Sequence, residues 1–373
     1  MSIGKKYVFD TDLAYKKRNI GIDLLRILAM LMIIVLHLLG QGGILRDDLT
    51  LFNKVAYWLE ICSYCGVNIF AIISGYVGIK SEWKVKRIIK IELQCIFYSV
   101  ITYALGMFLL DDIGTKMVVK GFFPIMSKTW WYVTAYVGIF FLLPYINYFV
   151  NNEKNKKIFC LTVVVLTVMF VILPTAFMHG DPFGLNGGYG IVWLLYLYLV
   201  GAFIRVSKMA QRYKPILWLG LYLASSLITW VQVFYFPWLK DEKWGWLFLR
   251  YNSIPVVVAA VSLVCFFAEL KIKRMIFMHV IEKLSGGAFA VYLIHVHPIV
   301  FGHLIVKTRE FVSLKTSIMV LEVVFGAVLV YMTCFGIEQI RKILFKRFGL
   351  DSMCNKMALF IDARLERENE DYE

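Results

Sequence analysis

Two residues with reactive side chains, Arg26 and His37, lie in the first long apolar segment of this chain of 373 residues. They are eleven positions apart, and on an α-helix at about 100° per residue that spacing brings both side chains to one face. At about 1.5 Å of rise per residue, the two are separated by roughly 16 Å along the helix axis. A charged side chain near the bilayer centre costs at least about 2.5–3.5 kcal/mol, so it normally faces a protein interior or a water-filled cavity and has a function there.

The chemistry open to these residues is proton transfer at His37 and the binding of an oxygen atom at Arg26. A histidine takes up and returns a proton near neutral pH, which suits general base catalysis on a hydroxyl group. An arginine inside the membrane can hold a carbonyl, thioester or phosphate oxygen. Asp23 precedes Arg26 by three residues and can pair with it. The alternative for Arg26 and Asp23 is an ion pair that only stabilises the helix bundle, and the alternative for His37 is an interfacial histidine bonded to a neighbouring carbonyl.

The elements that must position these residues are membrane-spanning helices. The composition is 60% hydrophobic, whereas soluble domains have about 45–50% apolar residues. About ten apolar stretches are long enough to cross a bilayer. They cover about residues 20–40, 52–78, 89–110, 130–150, 158–178, 190–206, 215–237, 250–269, 286–306 and 316–340. The sequence therefore predicts an all-α integral membrane protein, a polytopic bundle of about ten transmembrane helices.

The net charge of +14 is explained by membrane topology. Lysine and arginine concentrate in alternate connecting segments, whereas the other connections mix fewer of them with aspartate and glutamate. This positive-inside pattern predicts that both termini are cytoplasmic, and it needs no nucleic acid partner. We expect a membrane domain over residues 1–345 and a cytoplasmic tail over residues 346–373, whose alternation of apolar and charged residues is typical of an interfacial helix.

One basic segment has more cations than topology requires. Lys84, Arg87 and Lys90 recur every third residue, and we expect them to share one helix face. Such a strip can bind the phosphates of a nucleotide-bearing donor from the cytoplasm. The alternative is contact with anionic lipid headgroups.

Aromatic residues begin the fourth apolar span. Trp131 and Tyr132 stand where such side chains commonly form the interfacial belt of a membrane protein. Because sugar rings also stack on aromatic faces, both residues are candidates for substrate binding.

Two histidines late in the chain, His295 and His297, lie in an apolar span just before Pro298. The proline is expected to break the helix, and broken helices at membrane depth normally line cavities. We therefore expect one of these histidines to face the same cavity as His37. Their spacing of two residues points them to different helix faces, which makes a poor metal pair, and no metal site is predicted.

Several motifs together are similar to the membrane acyltransferase-3 family, of the type that O-acetylates cell-surface polysaccharides. The stretch from Gly21 to His37 matches the Arg-x10-His signature of that family, and residues 68–76 resemble the end of its second helix. Residues 87–90 stand where the family has an Arg-x-x-Arg pair, but the second arginine is lysine here, which weakens any bidentate contact. Other matching landmarks are Trp130-Trp131-Tyr132 with Pro144, and Tyr292-Leu293-Ile294-His295. The resemblance covers about residues 18–342.

The resemblance implies a ten-helix enzyme of the plasma membrane that moves an acyl group, usually acetyl, from cytoplasmic acyl-coenzyme A to a hydroxyl of an envelope or capsular glycan. Acetyl-CoA or another acyl-CoA would be a co-substrate, not a permanently bound cofactor, and the glycan and membrane lipid would be the other partners. The expected site residues are the catalytic His37, Arg26 and Asp23, the donor-binding Lys84, Arg87 and Lys90, and the substrate-binding Trp131, Tyr132 and His295.

Other readings of the sequence stay open. Transfer can be direct, with the long pantetheine arm of coenzyme A joining Arg26 to His37, or it can pass through two stages. The acceptor can be the glycan itself or a separate protein. A flippase or exporter of a lipid-linked glycan would also need intramembrane charges and broken helices, although it predicts internal repeats that the sequence does not display. A sensor protein would leave Arg26 and His37 without a ligand.

Overall fold

The computed structural model describes residues 18–46, 48–177, 181–241, 245–310, 312–313, 315–350, 352–353 and 355–361. Its α-helices are α1 Ile20–Leu36, α2 Leu51–Tyr64, α3 Gly66–Gly78, α4 Val85–Leu109, α5 Thr115–Lys120, α6 Trp131–Phe140, α7 Leu143–Asn151, α8 Lys156–Thr167, α9 Leu173–Phe177, α10 Ile191–Val206, α11 Pro215–Tyr235, α12 Ile254–Ala268, α13 Met275–Ser285, α14 Ala288–His295, α15 Pro298–Val300 and α16 Thr316–Arg347. Two short antiparallel strands, β1 Lys240–Asp241 and β2 Gly245–Trp246, pair between α11 and α12.

The helices confirm a membrane protein that is helical throughout its described core. Seven described stretches are long and apolar enough to span a bilayer: Ile20–Gln41, Leu51–Gly78, Val85–Leu109, Glu153–Phe177, Pro215–Tyr235, Met275–His295 and Thr316–Arg347. The pair α6 and α7, bent by 59°, makes an eighth if it is one span, and α10 and α12 are apolar but shorter. The count of ten spans and the cytoplasmic position of the termini stay predictions.

One predicted span has the wrong boundaries. The sequence pattern predicts a helix over 286–306, whereas the apolar helical stretch is Met275–His295. Its first half, α13, contains the polar residues His279, Glu282 and Lys283. These residues interrupt the apolar pattern, so hydropathy alone does not include α13 in the span. Its end is set by Pro298, as expected.

Helix α1 lies at the centre of the bundle, which explains how it can contain charged residues. It packs against α2, α3, α12, α13, α14 and α16. At its start, the Asn19 side chain accepts the backbone N–H of Ile22 at 3.1 Å and donates to the carbonyl of Ala268 at 2.8 Å. The cap both begins the helix and attaches it to the end of α12. Side chains on α1 therefore face protein on most sides.

Helices α3 and α10 approach each other through glycine. A Cβ at Gly75 would lie 1.9 Å from the carbonyl oxygen of Tyr198, and a Cβ at Gly201 would lie 2.0 Å from that of Ile72. Both distances are far inside contact range, so only glycine fits at these two crossings. Small residues of this kind let membrane helices pack with their backbones in contact.

The helical path is interrupted between α14 and α15. Helix α14 ends at His295, Pro298 is the first residue of α15, and the His297 side chain accepts the backbone N–H of Ile299 at 3.3 Å. A π-helical turn over Phe301–Ile305 follows. The expected break at Pro298 is confirmed, and the His297 side chain and carbonyl accept backbone N–H groups of the segment that follows it.

The predicted boundary between the membrane domain and the tail falls in the last turn of α16. Residues 355–361 of the tail are helical, and residues 362–373 lie outside the described part. The basic N-terminal residues 5–17, which entered the topology prediction, also lie outside it.

Candidate active site

His37 and His295 form a hydrogen-bonded pair in the interior of the bundle. His37 begins a π-helical turn, His37–Gln41, that continues α1, and its Nδ1 lies 3.2 Å from Nε2 of His295. His295 is fully buried. The Phe301 ring meets the His37 ring edge-on with centroids 5.2 Å apart. The sequence predicts a late histidine in the same cavity as His37; His295 does contact His37, but neither His295 nor His297 is among the residues that line the adjoining cavity. The Phe301 ring begins the second π-helical turn, so its contact with His37 joins two π-helical turns, which are frequent at functional sites.

The hydrogen-bond partners define the tautomers of both rings when they are neutral. Nδ1 of His295 lies 2.6 Å from the carbonyl oxygen of Val291, and a carbonyl only accepts, so Nδ1 donates. The Nε2 of a neutral His295 then has no proton and accepts from Nδ1–H of His37. Nε2 of His37 is consequently left with its lone pair, which is the state that a general base requires.

A cavity of about 770 Å³ lies next to this pair. It is bounded by α1, α2, α3, α4, α6, α14 and the segments around residues 189 and 246–251. The polar and aromatic residues that line it include His37, Glu60, Trp131, Tyr132, Tyr189 and Tyr251. Its size is within the range of small-molecule sites, about 300–1,000 Å³. His37 therefore has room beside it for a substrate.

The predicted aromatic residues Trp131 and Tyr132 both line this cavity. Trp130, immediately before them, is buried and donates its indole N–H to the carbonyl of Leu293 at 3.1 Å. This bond attaches the start of α6 to α14, the helix that ends at His295. The aromatic triplet thus contacts the interior of the bundle, and not only the membrane interface.

Glu60 is a cavity residue that our sequence analysis missed. It lies on α2, its residue exposure is 7%, and its Oε2 has no hydrogen-bond partner among the described residues. The signal was present, because a single carboxylate within an otherwise apolar span is costly unless it has a partner or a function. Glu60 has no charged neighbour in sequence, so no local charge pattern marks it.

Arg26 and Asp23 lie in a separate ionic cluster. Asp23 accepts from Arg26 Nη1 at 2.7 Å and from Arg18 Nε at 2.5 Å, and Arg18 Nη1 also reaches Glu282 at 2.8 Å. The Asp23 side chain is 2% exposed and that of Arg26 is 29% exposed. The expected ion pair is confirmed. Among the described residues, the cluster pairs two arginines with two carboxylates.

The position of Arg26 relative to the cavity agrees with the separation expected from sequence. Met30, Ile33 and His37 line the cavity from one stripe of α1. Arg26 precedes Met30 by about one helical turn on that stripe, but it is not among the lining residues. Arg26 and His37 therefore belong to two places along the same helix face.

The basic segment adjoins the cavity but does not form one helix face. Lys84 is extended and precedes the first residue of α4, so the helical prediction is wrong for that residue. It pairs with Glu82 at 2.7 Å, and this hydrogen bond lowers the pKa of the Glu82 carboxyl. Arg87 and Lys90 are exposed residues of α4, and Arg87 donates to Ser81 Oγ at 3.1 Å. Ile91, the residue after Lys90, lines the cavity.

Within the described residues, no group of three or more histidine, cysteine, aspartate or glutamate side chains could hold a metal ion. The polar groups nearest the cavity are suited to hydrogen bonding and proton transfer.

Comparison with known proteins gives one match. The acyltransferase 3 family model, described as an acyltransferase domain, matches residues 19–338, which include every residue of the cavity and of the ionic cluster except Arg18. No curated protein and no solved structure matches the chain.

Proposed function

This chain belongs to the membrane acyltransferase-3 family, and we propose that it transfers an acyl group, acetyl in the simplest case, from cytoplasmic acyl-CoA to a hydroxyl of a cell-envelope or capsular glycan. The proposal places the protein in the plasma membrane with both termini in the cytoplasm. The family membership supports acyl transfer, and the basic residues of the chain support a phosphate-bearing donor.

The observation that carries the proposal is the His37–His295 pair beside the cavity. In the proposed step, Nε2 of His37 accepts the proton of the acceptor hydroxyl while the hydroxyl oxygen attacks the thioester carbonyl. The carbon–sulfur bond breaks, and the coenzyme A sulfur leaves with the proton held by His37. The products are the acyl ester and free coenzyme A. His295 would stabilise the transient imidazolium because its Nε2 accepts from His37 Nδ1, which is 3.2 Å away.

The donor is proposed to enter beside α4. Lys84, Arg87 and Lys90 would bind the phosphates of acyl-CoA, and Arg26 would hold a donor oxygen, with Asp23 fixing the position of the Arg26 guanidinium. Arg26 and His37 are eleven positions apart along α1 and the π-helical turn that continues it, which is roughly 16 Å. The pantetheine arm is a linear chain that suits this distance in a direct transfer.

The acceptor is proposed to occupy the cavity. Trp131 and Tyr132 line it and offer aromatic faces for a sugar ring, and His295 would position the catalytic base without touching the acceptor. A flippase would use the same cavity without needing the lone pair on His37.

Membranes containing the protein, incubated with radiolabelled acetyl-CoA and the envelope-glycan fraction of the source organism, test the proposal. We expect label in the glycan with the unmodified protein, and its loss with His37→Ala and Arg26→Ala at equal protein levels. His303→Ala is a matched control, because His303 is an exposed histidine that does not line the cavity. Absence of both transfer and coenzyme A binding by the unmodified protein, with several acyl donors, would favour the flippase.

A further inference from the structure

The cavity contains a carboxyl group that acyl transfer by His37 does not use. Glu60 lines the cavity and is 7% exposed, and its Oε2 is buried without a hydrogen-bond partner. None of the ion pairs among the described residues includes it. A buried carboxyl oxygen without a partner costs free energy, so its presence at a cavity wall points to a ligand that supplies a donor.

Glu60 lies close to the catalytic end of α1. A Cβ built on Gly40 would be 3.4 Å from Glu60 Oε1, and Gly40 belongs to the π-helical turn that His37 begins. A molecule that reaches the unpartnered Oε2 is therefore held at the same end of the cavity as His37.

A curved row of aromatic rings adjoins this carboxyl. We call Tyr64, Tyr251, Tyr189 and Trp131 the aromatic arc; Tyr64 follows Glu60 by one helical turn, and all four line the cavity. Successive ring centroids along the arc are each 4.9 Å apart. Such a surface presents apolar ring faces and phenol groups together, which suits the apolar C–H faces and hydroxyls of a sugar.

One member of the aromatic arc, Tyr251, is held in place by a buried side chain. Asn68 is fully buried on α3, and its Nδ2 donates to the carbonyl of Tyr251 at 2.7 Å. Its Oδ1 accepts the indole N–H of Trp193 at 3.1 Å. These two bonds fix the segment that contains Tyr251 against α3 and α10. A surface so held is preorganised for binding, which lowers the cost of ordering it.

We propose that Glu60 and the aromatic arc form the acceptor subsite. Glu60 Oε2 accepts a hydrogen bond from a sugar hydroxyl other than the one that is acylated, while the sugar ring lies on the arc. Holding the ring at a second hydroxyl selects which hydroxyl faces His37, so Glu60 determines the position of acylation. This assignment rests on the proposed function of His37.

The test is steady-state acyl transfer by the full-length protein in proteoliposomes, with radiolabelled acetyl-CoA and the envelope-glycan fraction as the acceptor probe. For Glu60→Ala we expect the KM for the glycan to rise on the order of 10-fold, because a hydrogen bond to a carboxyl group is lost. The KM for acetyl-CoA stays within about twofold of the unmodified value, since the donor does not touch Glu60. Glu60→Gln keeps an accepting oxygen, so a smaller rise is expected.

Glu92→Gln and Glu92→Ala are the matched controls. Glu92 is a half-buried glutamate of α4 whose Oε2 also has no partner among the described residues, but it does not line the cavity. Its variants are expected to leave the glycan KM unchanged. Tyr189→Ala is a second variant, because Tyr189 is 44% exposed and its loss spares the packed core; it is expected to raise the glycan KM severalfold.

The outcomes separate the two proposals. If the unmodified protein transfers no label, the proposed function and the subsite both fail. If it transfers label and the Glu60 variants keep the glycan KM, or lose only kcat, the subsite alone is wrong. If Glu60→Gln raises the glycan KM as much as Glu60→Ala, the ligand group is an ammonium that needs the negative charge, and the hydroxyl assignment is overturned.

Discussion

Nδ1 of His37 lies 3.2 Å from Nε2 of His295, although 258 residues separate the two in the chain. The contact orients the His37 ring and leaves its other nitrogen unprotonated. This is the arrangement in which a second residue holds a catalytic base in the required tautomer. Here the orienting group is an imidazole and not a carboxylate.

His295→Phe removes the acceptor for His37 Nδ1 while keeping an aromatic ring. We expect kcat for acetyl transfer to fall about 10²-fold or more, with the KM for acetyl-CoA little changed, because the orientation of the proposed base and not donor binding is lost. The measurement is the initial rate at saturating donor. His303→Phe is the control, and retention of kcat in His295→Phe would contradict the role of the pair.

Asp23→Asn leaves Arg26 and Arg18 without their shared counter-charge. We expect a loss of about 1–3 kcal/mol in the free energy of unfolding, less than for a fully buried pair because both arginines are partly exposed. Thermal denaturation in detergent measures this loss. Arg26→Lys keeps a cation beside Asp23 and is expected to remain folded but to transfer poorly. Normal transfer by Arg26→Lys would assign Arg26 a structural role only.

Arg87→Gln and Lys90→Gln remove two exposed cations next to the cavity. If these residues bind donor phosphates, the KM for acetyl-CoA rises about 10-fold in the double variant and the KM for the glycan does not change. The assay is performed in neutral lipid, where contact with anionic headgroups cannot contribute. Lys116→Gln, an exposed lysine of α5, is the matched control. An effect confined to anionic membranes would support lipid contact instead.

Gly201→Ala places a methyl group where the carbonyl of Ile72 lies 2.0 Å from the ideal Cβ position. We expect the variant to lose most of its monodisperse protein in size-exclusion chromatography, because backbone has to move. Gly220→Ala, in α11, has no atom within 4 Å of its Cβ position. It is expected to be neutral or to stabilise by up to about 1 kcal/mol through helix propensity. Similar behaviour of both variants would contradict the crossing of α3 and α10.

The parts of the site that depend on local patterns were predictable from sequence. The pairing of Asp23 with Arg26 follows from a spacing of three on a helix, and the break after His295 follows from Pro298. The spacing rule fails at Lys84. Its spacing from Arg87 suggests one face, but the helix begins only at Val85, and helix starts are poorly defined by periodicity.

The parts that depend on tertiary contacts were not predictable. Which of His295 and His297 meets His37 is decided by the packing of α14 on α1, and His297 instead packs against Tyr103 and Trp130. Glu60 is a candidate site residue only because the fold places α2 at the cavity wall. Tyr189 and Tyr251 lie in connecting segments, where no periodic pattern marks the direction of a side chain.

The glycine crossing of α3 and α10 has a mechanical consequence for the enzyme. Helices α3 and α10 have their backbones in contact at Gly75 and Gly201, so sliding would bring side chains against backbone and separation would lose this close packing. We therefore expect the side of the cavity that contains Phe70 and Ser74 to be rigid. Another part of the cavity wall contains Phe289, Val296 and Phe301, and its helix is interrupted after His295. If the acceptor is a glycan, as proposed, we expect the cavity to widen on this interrupted side. The same side contains His295, which contacts His37, so admission of the acceptor and alignment of the proposed base would depend on the same helix.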